Sequence, residues 1–218
     1  MNDITYTRYS PDTSSNEVTA QLVACYRSVF AESPWNEWLR CPVCNKYWGI
    51  RDGILLSSWK FQHCGTDLQE FWSQEQISSD LEHEITMNTS CWIAMDGEKV
   101  IGFCWGYPIT ISDLEKKLGI TLNSRSETEQ LIAYQDEVGV LSEFRNRKIA
   151  KTMVRKRLND FEKQGLLYGI VRTRELPESS QTFLWYKNLG YEILTRYPDG
   201  RVILGRSLVG LKKLLGSA

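Results

Sequence analysis

The sequence predicts an α/β (α+β) fold, a central mixed sheet flanked by helices, carrying a small metal-binding insert. Three observations predict it. Tyr134–Gln164 passes from a strand-like stretch to a helical one across a basic loop. Two apolar runs, Cys91–Met95 and Val100–Tyr107, flank Asp96-Gly97, a hairpin signal. Ahead of both lies a stretch of different texture, where Cys41-Pro42-Val43-Cys44 is followed after an 18-residue gap by His63-Cys64.

In chain order, Ile4–Tyr9 alternates and reads as a first strand. Pro11 to Asn16 is a polar turn. Leu22, Val23, Tyr26 and Phe30 fall at helical spacing, so Val18–Phe30 is expected to be the first helix. Pro34 and two tryptophans break that pattern. After the cysteine-rich stretch, Ser79-Asp80-Leu81-Glu82 reads as a capping box opening a helix through Met87. His83 on that helix reads as a surface or packing residue. Ser112 is expected to cap a short helix that Gly119 ends. Thr121–Gln130 reads as a loop.

Tyr134–Leu141 is the next strand, and Ile149, Ala150, Met153, Val154, Leu158 and Phe161 define one face of the helix after it. Gly165 is its expected stop. Leu166–Arg172 is a strand, and Pro177 with Ser179 or Ser180 opens a helix closed at Gly190. Tyr191–Thr195 and Val202–Arg206 form a terminal hairpin, and Leu208–Leu215 a short last helix.

The 218 residues suffice for one substantial core, so one domain is expected over 1–218, with the insert over 36–74. A formal net charge of -1 argues against a mainly electrostatic nucleic-acid binder. No apolar run approaches the roughly 20 residues that span a bilayer. The N-terminus lacks a secretory signal, so the expected compartment is the cytoplasm. There the six cysteines read as thiols or metal ligands rather than a disulfide framework.

Cys41, Cys44, His63 and Cys64 offer three thiolates and an imidazole, enough for a closed tetrahedral Zn2+ site of structural kind. Adjacent residues strain to reach one ion, so Asp67 rivals His63 for the fourth place. Trp35, Trp38, Trp48, Trp59, Phe61 and Trp72 crowd this region, either capping the insert against the main core or forming a partner surface.

Ser142–Lys148 is a basic strand-to-helix loop. A helix start presents unpaired N–H groups and a positive dipole end, which suits a phosphate, although an ordinary solvated turn also explains it. Here the sequence resembles the GNAT superfamily of acyl-CoA-dependent N-acetyltransferases. Val140-Leu141 through Arg145-Asn146-Arg147-Lys148-Ile149-Ala150 is similar to the family's pyrophosphate loop. Ser179 to Tyr191, with Phe183-Leu184-Trp185-Tyr186, is similar to its last-helix motif. Lys148 stands where the family usually has glycine, and Ser179 replaces an asparagine.

The resemblance implies a GNAT acyl-CoA N-acyltransferase fold, with acetyl-CoA as cosubstrate and an amine acceptor, small molecule or protein. It implies a cofactor grip by Val140, Leu141, Arg145, Asn146, Arg147, Lys148, Ile149, Ala150 and Ser179. Glu137 would be the base or relay, and strand alternation would put Asp136 on the opposite face. Tyr186 would protonate the leaving thiolate, and a backbone N–H near Leu141 would meet the oxyanion. The competing reading is a non-catalytic CoA-binding module, or a zinc-dependent module that binds protein or nucleic acid on the same scaffold.

Overall fold

The computed structural model describes residues 3–52, 61–122, 129–175 and 180–210. Strand β1 (Ile4–Arg8) leads into α1 (Asn16–Ala31), whose first turn is capped by the Ser15 side chain accepting from Val18 N. Five two-residue strands follow: β2 (Leu39–Arg40), β3 (Tyr47–Trp48), β4 (Gln62–His63), β5 (Thr66–Asp67) and β6 (Gln69–Glu70). They form a three-stranded sheet, β3-β2-β6, and a hairpin, β4-β5.

Helix α2 (Gln74–Glu84) begins earlier than expected. Ser73, not Ser79, is its cap and accepts from Gln76 N. Ser79 lies inside the helix, where its carbonyl contacts His83 Nδ1 at 2.6 Å. The Ser-x-x-Glu pattern at 79–82 is a helical surface, because caps and exposed faces draw on the same residue types.

Strands β7 (Ser90–Asp96) and β8 (Lys99–Thr110) form the expected hairpin. Asp96 pairs with Lys99, so the turn residues are Gly97 and Glu98. Helix α3 (Ile111–Leu118) is capped by Thr110 rather than Ser112 and ends at left-handed Gly119. Strand β9 (Leu131–Val140), a short 3-10 turn (Ser142–Phe144) and α4 (Ile149–Lys163) make the central crossover. Strand β10 (Tyr168–Arg174), α5 (Ser180–Asn188), β11 (Glu192–Arg196) and β12 (Arg201–Ser207) complete the order. Ser179, most of the expected 121–130 loop and the expected final helix beyond 210 lie outside the described residues.

The main sheet runs β1-β7-β8-β9-β10-β12-β11, antiparallel except for the parallel β9–β10 pair. Its centre is apolar on both faces. Phe103 and Trp105 stack on Tyr26 of α1 at 5.4 and 5.8 Å. The residues flanking them turn to α4: a Cβ on Gly102 would meet Met153 at 3.2 Å, and one on Gly106 would meet Phe161 at 3.0 Å. Bare glycines here let the helix lie close to the sheet. Trp35 and Trp72 pack against this same core, as the capping reading of the tryptophans expects. No described helix is long and apolar enough to cross a membrane.

Candidate active site and metal centre

The site begins with two irregularities of β9. The first is a bulge. From Trp105 to Tyr107, β8 takes two steps, while β9 takes three from Glu137 to Tyr134. The extra residue breaks alternation. Asp136 and Glu137 therefore line the same two cavities, of 220 and 150 Å3, instead of facing opposite ways. This corrects the expectation from simple strand periodicity.

The bulge is held by Arg157, whose side chain is wholly buried. Its guanidinium donates to Trp105 O at 2.6 Å, to Glu137 O at 3.0 Å and to Gln135 Oε1 at 2.9 Å. A buried charge is costly unless its donors are met, and here two backbone carbonyls at the bulge and the Gln135 amide oxygen meet both terminal nitrogens, while Nε is left without a partner among the described residues. Sequence reading missed Arg157. The available signal was its place on the apolar stripe of α4, four residues after Met153 and four before Phe161.

The second irregularity is a gap. β9 and β10 pair only from Ala133–Gly169 to Gln135–Val171, although both strands continue. Leu141 N donates to Ile101 O at 3.0 Å, on the β8 side. Antiparallel alternation then turns the N–H groups of Val138 and Val140 into the gap. The N–H expected near Leu141 for an oxyanion is thus not that of Leu141 itself.

At the mouth of the gap, α4 starts with Lys148 in left-handed conformation, φ 61°. The family-like glycine position keeps its backbone shape with a lysine, at a cost of about 1 kcal/mol. The first helical bond is Thr152 N to Lys148 O, so the N–H groups of Ile149, Ala150 and Lys151 have no acceptor within the helix. A 360 Å3 cavity here is lined by Val140, Arg145, Asn146, Lys148, Ile149 and Ala150 from the loop side and by Thr182 and Trp185 from α5. Leu141 and Arg147 do not line it. Leu141 faces a groove toward α1, and Arg147 donates to Glu143 O at 3.1 Å.

Glu137 and Tyr186 meet in the 220 Å3 cavity between β9, β10 and α5. Burial pushes the Glu137 carboxyl well above its ordinary range, and Asp136 repels in the same direction, against the pull of Arg172. Asp136 is engaged, accepting from the Tyr107 hydroxyl at 2.9 Å and pairing with Lys117 at 3.5 Å. The Glu137 carboxylate makes no hydrogen bond or ion pair among the described residues. Tyr186 is 1% exposed, and its hydroxyl has no hydrogen-bond partner among the described residues. Burial pushes this phenol up and Arg157 only partly offsets it, so the hydroxyl keeps its proton at neutral pH.

The insert gathers its own cluster. One ligand atom each from Cys41, Cys44, His63 and Cys64 lies within 4.8 Å of the others. Zinc–thiolate bonds of about 2.3 Å give a tetrahedral edge of about 3.8 Å, so the donor set fits zinc. Cys64 and Gly65, with φ 52° and 74°, form the two-residue turn of the β4–β5 hairpin. That turn brings Cys64 Sγ to 3.1 Å from His63 Nδ1, and Cys44 Sγ lies 3.5 Å from the same nitrogen. The turn eases the strain expected of neighbouring ligands. Asp67 stands apart, accepting from Gln62 Nε2 at 2.7 Å.

A parted β9–β10 pair, a bulged β9 and a basic helix start sit in a mixed α/β fold that matches those of GNAT structures. A family model described as an acetyltransferase (GNAT) domain matches residues 87–193, so this part of the chain is a GNAT acetyltransferase domain. No curated protein matches the chain in sequence. Among solved structures it resembles the paia N-acetyltransferase of Thermoplasma acidophilum in complex with coenzyme A, at 14% identity and TM-score 0.53, covering 94% of this chain and 99% of that one. It resembles PH1933 of Pyrococcus horikoshii OT3 at 12% identity and TM-score 0.59, covering 94% and 98%. Arabidopsis thaliana NAA60, in complex with acetyl-CoA, is similar at 14% identity and TM-score 0.55, covering 95% and 100%. At these identities the likeness is one of fold.

Proposed function

We propose that the protein is an N-acetyltransferase that moves the acetyl group of acetyl-CoA directly to an amine. The observation that carries this reading is the gap between β9 and β10, because it joins an anion-ready helix start to a carboxylate and an unpartnered phenol in adjoining cavities.

Acetyl-CoA supplies a thioester carbonyl, and the chain's residues do the rest. The free N–H groups of Ile149, Ala150 and Lys151 hold the pyrophosphate, with Arg145 and Lys148 adding charge. The N–H groups of Val138 and Val140 point where an oxyanion forms. Glu137 takes a proton from the incoming ammonium. Its raised pKa brings it nearer that of the amine and makes it a better base. The amine nitrogen then bonds to the carbonyl carbon, the C–S bond breaks, the Tyr186 hydroxyl gives its proton to the thiolate, and the surplus proton on the new amide nitrogen restores the Tyr186 hydroxyl. Cys41, Cys44, His63 and Cys64 hold a structural zinc ion apart from this chemistry, since a closed shell leaves no water to activate.

Thiol release from acetyl-CoA with a panel of amines, beside calorimetry with CoA, tests the reading. Micromolar CoA binding with amine-dependent thiol release is expected. A folded protein that does not bind CoA overturns it.

A further inference from the structure

The cleft has a wall that the main sheet does not supply. Glu37 and Trp72 stand at the two ends of the insert, and the Trp72 indole donates to the Glu37 carboxylate at 2.9 Å. Backbone bonds tie those ends together: Phe71 N donates to Trp38 O at 2.9 Å, and Leu39 pairs with Glu70. Both side chains line the 220 Å3 cavity into which Glu137 and Tyr186 open. Trp72 and Glu137 continue into the 150 Å3 cavity. Tyr26 lies beside them, its ring 6.1 Å from Trp72 and edge-on to it.

Glu37, Asp136 and Glu137 line this cavity together with Arg172, Arg174 and Arg201. Asp136 is taken by Tyr107 and Lys117, and Arg201 by Asp199, while Glu37 and Glu137 feel the β10 arginines only at a distance. Neither carboxylate is in an ion pair among the described residues. Two carboxylates beside aromatic faces, with the phenol of Tyr186 buried and unpartnered in the same cavity, leave a place for a cation. The 220 Å3 cavity adjoins the 150 Å3 one through Tyr26, Trp72 and Glu137, and this space beside the two carboxylates takes an amine on a slender stem.

We propose that the acceptor is a primary alkylamine on a slender stem, captured as its ammonium between Glu37 of the insert and Glu137 of β9, with the stem against Tyr26 and Trp72. This deepens the acetyltransferase reading and rests on it. The captured ammonium gives one proton to Glu137, the freed lone pair forms the C–N bond as the C–S bond breaks, and the second nitrogen proton replaces the one that Tyr186 gives to the leaving thiolate. Glu37 keeps its charge throughout and serves as a specificity residue. The insert is then part of the acceptor site and not an appendage.

The test uses n-butylamine as probe, with n-butanol as neutral isostere and tert-butylamine as bulky control. In the full chain, n-butylamine is acetylated and tert-butylamine is not. Glu37→Gln raises the KM for n-butylamine about tenfold, the loss of a charge-assisted contact, and leaves CoA affinity unchanged. Trp72→Phe raises it less. If Glu37→Gln does not fold, Glu37→Asp keeps the charge but shortens the reach, and it also raises KM.

A second readout does not need turnover. The NMR signal of the Trp72 indole, identified by its loss in Trp72→Phe, shifts with n-butylammonium and not with n-butanol. If that shift occurs but no amine is acetylated, the ammonium site stands and the transferase reading fails. If acetylation proceeds with the parent KM in folded Glu37 and Trp72 variants, the transferase reading stands and this site is overturned.

Discussion

Glu137 reaches the cleft on a strand of ten residues, bonded to β8 along most of its length and propped by a buried guanidinium. Cys41 and His63 reach each other between strands of two residues each. The main sheet fixes its functional groups through backbone pairing and a continuous apolar core. The insert has little of either: Leu39, Cys41 and Trp48 are buried, while Val43, Tyr47, Ile50 and Phe61 are exposed. The contrast teaches that position in the sheet precedes any ligand, whereas under the zinc proposal the insert takes its order from what its four ligand atoms hold. Binding free energy there would be folding free energy.

The first way to break this contrast is Cys41→Ser. Structural zinc sites are worth on the order of 10–16 kcal/mol, so this variant should lose the metal and the insert's order together. Elemental analysis should fall from about one zinc per chain, the yield of a single closed site. Amides of the insert should exchange freely while those of β8 and β9 stay protected. Loss of protection in both regions would show that the sheet leans on the insert.

Tyr186→Phe comes next. It removes only a hydroxyl, so CoA should still bind while kcat falls about 10²–10⁴-fold. Unchanged kcat would assign this phenol to packing alone.

Glu137→Gln sharpens the sheet side through pH. Burial raises this carboxyl, so in the parent the rate climbs with pH as Glu137 loses its proton and then levels. The variant has no such group and keeps climbing toward the amine's own pKa, about 10.4 for a lysine-like amine. Its deficit should therefore be largest around neutral pH and close under alkaline conditions. Parallel profiles would move the base elsewhere.

The smallest effect is expected from Ala150→Pro. Proline is tolerated in the first turn of a helix, and here it deletes one unpaired N–H. CoA affinity should drop about tenfold, the scale of one charge-assisted hydrogen bond, with little change in melting temperature. Calorimetry that shows parent affinity would remove this helix start from the phosphate site.

Much of the frame was legible because it rests on period. The stripe from Ile149 to Phe161 and the hairpin around Gly97 follow from local spacing, and the structure bears both out. The CxxC and His-Cys pairs were legible because ligand chemistry restricts residue types. What was not legible depends on long-range fit. No local pattern separates Ser73 from Ser79 as a cap, since tertiary contacts decide which turn is the first. The bulge that brings Asp136 and Glu137 together is set by Gly106 and Arg157, which approach β9 from other elements. Lys148 read as a departure from a glycine position, yet the backbone holds it at positive φ all the same.

The brief β9–β10 pairing carries one more consequence. Seven strands make this sheet, but three paired positions join its four-stranded half to its three-stranded half. In mechanical terms the sheet is two plates on a short weld, and a molecule lying in the gap bridges them along the unwelded edge. A ligand that binds only the joined form stabilises by RT ln(1 + [L]/Kd), about 2.7 kcal/mol at a hundredfold excess over Kd. Heat should therefore part the plates at a temperature that rises with the concentration of CoA, and a melting curve would read the weld directly.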